Sequence, residues 1–585
     1  MPYKIPLTII FFFFSTFLLL FSINADDMFD DTGHDQVIAK KMNSILRNDD
    51  LEFRLVDQFG TPHSLNDFSK LKKIHFIAFD LNCPKDIYPK EIKKNYLFIN
   101  TNLETSRESL MTLFPKQIIL MDELFLVSSS LGFKSCGDVF QYDFKNERLK
   151  FLKNLNPKLA RAIVFNSNPQ LNFEKDVLPT IESSCLKCHV GNSSLNFFNG
   201  VRKIKAWRKM MLRTMRLGRM PPGADTYYFS DHYSYNKKDL LTLSRWLDNL
   251  EGISENDLAK LAEVYKKHLE NLRVQRFSTI EKQISQMEKI ISYPDETIAA
   301  DGAPFYKYYT TNEPTQNDIF FDKFFVKINS DVGHHMALHF SKKPFPKIKL
   351  DGSPLNQNEF MQLYGNNPEP TPGSVNGKKV SAYKFDDPNI IHVVRNQGYQ
   401  MAYPNSTYYI PKGSYLNLEI HFNPTGKKEL TPIELSLLKD ESLKDKPVIR
   451  RFSMTPNDHT IIARPNEFKS LVEMSYVLPN DIEFVGYGLH MHYRGQSGIL
   501  FYEEPNQKKK ILMSFPTYQY KNQLSSFFNK PIKLLKGTKL INQIIYNNSD
   551  LNLSNPNPKK SVKIGTSILE DENYLPRIYF LEHRK

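Results

Sequence analysis

Apolar and polar positions change rhythm several times along this chain of 585 residues. Between residues 45 and 160 the pattern is short apolar runs separated by turns and polar stretches. Leu51-Glu-Phe-Arg-Leu-Val56 is followed by a turn at Phe59-Gly60-Thr-Pro62, then by Ile74-His-Phe-Ile-Ala-Phe79. Further runs lie at Tyr96–Asn100, Gln117–Met121 and Asp138–Tyr142. Strands alternating with helical stretches predict a small α/β domain over 45–160. Over 170–252 the apolar positions recur at helical spacing, in Val177–Ser184, Trp207–Leu217 and Leu240–Leu250, which predicts an all-α domain. Residues 253–290 contain no Pro or Gly and mix Lys and Glu with Leu, Ile and Val, which reads as a solvated helical connector. From Pro294 onward short runs are broken by Pro, Asn, Asp and Gly. Examples are Phe325-Val-Lys-Ile328, Tyr415–His421, Phe484-Val-Gly-Tyr487 and Gly498–Tyr502. Such density of turns predicts two all-β sandwiches, over 291–435 and 436–585.

Composition narrows the classes. The 43 Phe, 29 Tyr, 35 Pro and 24 Gly favour strands and turns over an all-helical bundle. The net charge of +13 is dispersed, with no compact basic stripe interleaved with aromatics, so nucleic acid is not expected as a partner. The start, Lys4, an apolar run from Ile5 to Phe21, then Ser22-Ile-Asn-Ala25 before Asp26, has the form of a secretory signal over 1–25. An uncleaved anchor is the alternative. No later apolar stretch approaches the roughly 20 residues that span a bilayer. The expected location is therefore periplasmic or secreted. The four cysteines, Cys83, Cys136, Cys185 and Cys188, all lie in the first third of the chain.

Cys185-Leu-Lys-Cys188-His189 is a C-x-x-C-H motif. Two thiols one helical turn apart can attach to a haem, and the next residue places an imidazole under the iron. Met220, in Arg219-Met220-Pro221-Pro222, is the candidate sixth ligand, although Met210, Met211 and Met215 are close. The alternatives are a C-x-x-C disulfide or half a zinc site. A zinc site would need further ligands, and His232 is the one histidine nearby. The segment resembles a cytochrome c domain.

Histidines cluster at three places in the C-terminal half: His334-His335, His421, and His490-Met491-His492. On a strand, His490 and His492 share a face and can chelate one metal. His334 and His335 point to opposite faces unless the backbone bends. Imidazole sites without thiolate suit copper, zinc or iron. His339 stands apart from these groups and reads as a surface residue.

His334-His335-Met336, His421-x-x-Pro-x-Gly and His490-Met491-His492-x-Arg-Gly together resemble the copper type II, ascorbate-dependent monooxygenases of the peptidylglycine and dopamine hydroxylating class. The likeness is greatest to bacterial three-part members, in which thioredoxin-like and cytochrome c domains precede the copper domains. Tyr476-Val-Leu-Pro479, Lys536–Leu540 and Asn547-Asn-Ser549 add to it. The resemblance implies two jelly-roll domains facing each other across a wet cleft. His334, His335 and His421 would hold an electron-storing copper, and His490 and His492 the copper that binds dioxygen. The fold class expected is thus multidomain: an α/β thioredoxin-like domain, an all-α cytochrome c domain and two all-β jelly-roll sandwiches. The function implied is copper-dependent hydroxylation of an organic substrate by dioxygen, with one or two copper ions and a c-type haem. The electron donor would be an ascorbate-like reductant or a cytochrome.

The chain departs from the family at one point. The Met that completes the oxygen-binding copper site has no counterpart, and Glu572 or Asn573 takes its place. A hard oxygen ligand in place of a thioether favours Cu(II) over Cu(I). The alternative reading is therefore a non-catalytic haem and copper protein, working as electron carrier or scaffold. A zinc hydrolase using the H-x-H with Glu572 is a third. In the N-terminal region, residues 51–150 resemble the redoxin branch of the thioredoxin fold, with Cys83-Pro84 after a strand. There is no C-x-x-C there. Ser135-Cys136-Gly137 stands where the family has a cis-Pro loop beside the active Cys. That correspondence implies a disulfide between Cys83 and Cys136 in a structural rather than redox-active domain.

Overall fold

The computed structural model describes most of residues 52–584. Residues 1–51, 89–94, 162–170, 185–200, 218–236, 250–259 and 343–368 lie outside the described set, as do shorter stretches, many of them between 261 and 281. The described residues are mainly β-strand.

Near the N-terminus, seven strands form one mixed sheet. Lys73–Phe79, Tyr96–Asn100 and Ile119–Met121 run parallel at its centre. Arg54–Asp57, Pro62–Ser64, Asp138–Asp143 and Arg148–Asn154 extend it with antiparallel pairings. The two-residue period sends Ile74, Phe76 and Ala78 into one core and Ile77 and Phe79 into another, so both faces are covered.

The C-terminal half has two β bodies. In the first, a five-stranded sheet including Glu288–Ile298, Ile319–Lys327 and Glu429–Lys439 covers a four-stranded one. The latter runs Ile390–Val394, Gly333–Ser341, Tyr415–Phe422, Phe305–Thr310. Phe321, Phe324, Met336, Leu338, Leu418 and Ile420 fill the space between. In the second body ten strands form one continuous sheet. It curls until Met474, Leu500 and Ile544 share a core with Met454, Phe484, Tyr487 and Ile578. Three of its strands, Val448–Pro456, Ile482–His490 and Leu575–Glu582, serve both bodies. Phe452, Phe484 and Ile578 enter the core of the ten-stranded sheet, whereas Ile449, Val485 and Tyr579 enter that of the first body. The two bodies are fused through an apolar seam, because alternate residues of one strand reach opposite faces.

These observations correct the expected fold class. The partition into a thioredoxin-like α/β domain, an all-α cytochrome c domain and two jelly-roll sandwiches does not describe the molecule. In the N-terminal sheet the described α-helices, Arg107–Leu113 and Leu126–Leu131, are under two turns long. Cys83-Pro84 leads into a three-residue 3-10 turn, Lys85–Ile87, among the described residues. Neither makes a clear thioredoxin fold. The helices Leu178–Ser184, Val201–Arg216 and Lys237–Asn249 fall where helical spacing predicts them, but they do not stand as an independent all-α unit. Phe173 packs on Trp246 with ring centres 5.3 Å apart. Beyond that, Arg213 and Arg216 bind Glu52, and Arg216 also reaches Ser130 in the N-terminal region. The basic helix is thus tied to its neighbours by its cations.

The β boundary at 435 also moves. Glu429–Lys439 belongs to the first body, while the hairpin Glu369–Val375/Lys378–Asp386 is built into the ten-stranded sheet. Asn376 and Gly377, both with positive φ (49° and 77°), make its two-residue turn. The connector ends in strand from Glu288; its described positions before 286 are helical and mostly exposed.

Candidate metal centre

The first histidine group lies on two neighbouring strands. Gly333–Ser341 pairs antiparallel with Tyr415–Phe422, and position 335 is the register partner of position 421. Register partners of an antiparallel pair occupy the same face. The pairing is irregular between Gly333 and His335, so the backbone bends at His334, as a shared ion for the adjacent pair requires. His421 is 1% exposed. The side chains of His334 and His335 lie outside the described set, and among the described residues no three of His, Cys, Asp or Glu group closely enough to hold a metal. His339 corrects an expectation: it is buried, 1% exposed, and not on the surface. Burial, and then Arg451, hold its imidazole well below its usual value. Its contact with Glu419, 3.9 Å away, is therefore not a charged pair at neutral pH.

The second group lies at the end of a strand. Ile482–His490 stops at His490, and His492 stands beyond it in a turn. The alternation of a regular strand does not place these rings together; the turn does. Their centres are 5.6 Å apart with planes at 90°, close enough for each to offer a nitrogen to one ion. Both residues are buried. Burial lowers the His492 pKa to about 4; the Asp571 carbonyl opposes this and Arg494 adds to it. The ring is neutral at pH 7, the form that binds metal. His492 Nδ1 is 3.2 Å from the Asp571 carbonyl. An Nδ1–H donated there leaves the Nε2 lone pair for a ligand.

Side chains distant in sequence surround the turn. The Tyr518 hydroxyl accepts from Met491 N (3.0 Å) and donates to the Met491 carbonyl. Glu572 accepts from His492 N through Oε2 (2.7 Å) and from Arg494 N through Oε1 (2.6 Å). Asn552 donates to the Tyr493 carbonyl (3.1 Å). Glu572 is fully buried. Burial pushes it up to about 7, against the pull of the two amides and Arg494. Asn573 is half-buried and its carbonyl accepts from Tyr546. Tyr518, Asn552 and Asp571 were not legible in the sequence, which shows no spacing that links them to the H-x-H; Glu572 was legible as a neighbour of the H-x-H but not as an acceptor for its backbone amides.

The structure joins Cys83 and Cys136 in a disulfide, with Cα atoms 6.6 Å apart. Both cysteines are buried. Cys185, Cys188, His189 and Met220 lie outside the described residues, as does the 1–25 segment. The helix Val201–Arg216 is followed by Leu217, whose carbonyl accepts from Thr517 Oγ1 (2.8 Å). Thr517 directly precedes Tyr518. No described helix is long and apolar enough to cross a membrane.

No family model and no curated protein matches the chain. Among solved structures, PNGF-II is similar at 12% identity over 52% of this chain and 68% of its own, with a TM-score of 0.23. A Paenibacillus xanthan lyase is 9% identical over 51% of this chain and 25% of its own, with a TM-score of 0.13. A two-domain protein of unknown function from Bacteroides fragilis is 10% identical over 51% of this chain and 98% of its own, with a TM-score of 0.11. At such scores neither fold nor function is transferred to this chain.

Proposed function

We propose that this chain is an exported haem- and copper-binding oxidoreductase. In this reading it is a copper-dependent monooxygenase that hydroxylates an organic substrate with dioxygen, using electrons relayed by a c-type haem. The observation that carries the reading is the direct opposition of positions 335 and 421 across two strands, with the backbone bent at His334. An adjacent pair of histidine positions and a third distant in sequence come to one end of two paired strands.

Copper would supply one-electron redox chemistry, which zinc lacks. His334, His335 and His421 would hold one ion, and His490 and His492 another. Burial keeps His492 neutral and its tautomer is set by Asp571. Cys185, Cys188 and His189 would hold the haem, with Met220 as a candidate further ligand. The Thr517–Leu217 hydrogen bond supports a relay toward the H-x-H turn, because Tyr518 grips that turn. Met220 lies three chain steps beyond Leu217, a reach of about 10 Å at most.

The second reading, an electron carrier or scaffold without oxygenase activity, is favoured by one observation. Glu572, in place of the family's Met ligand, has both oxygens bonded to backbone amides. The deciding experiment is copper titration of the metal-free protein with haem spectra in both redox states and oxygen uptake. Two coppers per chain with uptake supports the monooxygenase. One copper and no uptake supports the carrier, and no copper at all overturns both.

A further inference from the structure

The turn carrying His492 has no ladder of its own, since the strand ends at His490. Its backbone is instead held by side chains and by one neighbouring segment. Residues 569–572 and 491–494 bind each other reciprocally. Glu572 takes the amides of His492 and Arg494, while the Arg494 guanidinium donates to the carbonyls of Leu569 (3.0 Å) and Asp571 (3.5 Å). Tyr518 holds Met491 from another side, and Asn547 N donates to the Arg494 carbonyl (2.8 Å).

We infer that Glu572 is a positioning residue that fixes the shape of the His490–His492 turn, and that it is not the third ligand of a metal bound there. The inference rests on the reading that these two histidines bind metal. Both carboxylate oxygens lie at hydrogen-bond distance from amides on either side of Tyr493, so the group sits against the backbone of the turn. Turning it toward a metal would leave two buried amides without their acceptor, a costly exchange. The adjoining Asp571 carbonyl sets the His492 tautomer. Residues 571 and 572 thus orient the ligand rather than coordinate the ion, the task of the groups that surround a metal site's ligands.

The test uses the full chain with Glu572→Gln, which keeps the size but presents an amide nitrogen to one of the two N–H groups. In copper-free protein, hydrogen exchange at His492 and Arg494 is expected to rise at least about tenfold. Copper affinity at this site, read in a His421→Ala background, is expected to fall roughly 10- to 100-fold. The EPR and X-ray absorption signature of the copper that still binds should not change. Tyr518→Phe loosens the same turn with every carboxylate in place, and should shift exchange and affinity in the same direction. Unchanged exchange in Glu572→Gln overturns the proposal. So does a carboxylate oxygen in the wild-type copper shell that this variant lacks. If the wild type binds no copper here, the metal reading falls while hydrogen exchange still decides whether Glu572 holds the turn.

Discussion

His339 shows how little a single residue reveals of its surroundings. A lone histidine in a strand has the same local text whether it faces solvent or protein, and here it is buried beside Arg451. Its pH behaviour follows. The unfolded chain protonates this ring near 6.5, while the folded protein resists protonation to lower pH. Stability from the neutral ring is therefore present above 6.5 and lost as pH falls toward the depressed folded value. Chemical denaturation at stepped pH should show the wild type losing more stability on acidification than His339→Gln over roughly pH 7.5 to 5. Equal slopes would show that the ring titrates alike in both states. Asp122 behaves in the opposite sense. Burial raises its pKa against hydrogen bonds from Ser128 and Val127. Its stabilising neutral form is full below 3.8 and lost as pH rises through the raised value. Asp122→Asn, which keeps an acceptor but no charge, should gain stability relative to wild type from pH 4 toward 7 in the same measurement.

At the scale of elements, local pattern located many of the pieces. The strands at 73–79, 96–100, 415–422 and 482–490, and the helices at 201–216 and 237–249, fall where apolar period places them. The H-x-H was legible as chemistry but not as geometry, because a turn replaces the strand at His492. Gly495, which ends that turn, admits no side chain. A Cβ there would lie 2.7 Å from Met491 Cβ and 2.8 Å from its Sδ. Gly495→Ala should cost about 1–3 kcal/mol by overpacking and, on the proposed reading, weaken copper binding at His490/His492, read by denaturation and titration together. Retained stability and affinity would show that Met491 yields without disturbing its neighbours. The Cys83–Cys136 bond closes a loop with a sequence separation of 53. Replacing both cysteines by Ser should lower unfolding free energy by about 4 kcal/mol if chain entropy dominates, measured in denaturant with and without reductant.

On the scale of the whole molecule, the pieces are knitted rather than strung. Arg54 Nε donates to the Pro516 carbonyl (2.7 Å), and the turn at Gly60 packs on Ile511 closely enough to exclude a Cβ. The helix Val201–Arg216 binds Glu52 and Ser130 in the N-terminal region, and Leu217, just after it, accepts from Thr517 in the segment before Tyr518. Thr517→Val removes the Leu217 bond without touching a candidate ligand. On the proposed haem-to-copper relay, stopped-flow reoxidation of reduced haem by copper-loaded protein and oxygen should slow several-fold, with copper affinity unchanged. An unchanged rate would count against a relay through this bond.

The chain's text alone determined where many strands and helices form, which residues are candidates for metal and haem chemistry, and that His334 and His335 would need a bend to share an ion. Those are local properties, written in period and residue type. Tertiary structure decided the rest. It set position 335 against 421, buried His339, closed Glu572 over the H-x-H turn, and placed the Asn376-Gly377 hairpin in the ten-stranded sheet. Each of these depends on which distant strand supplies the opposing hydrogen bonds and apolar face, a choice made by packing the whole chain and contained in no local window.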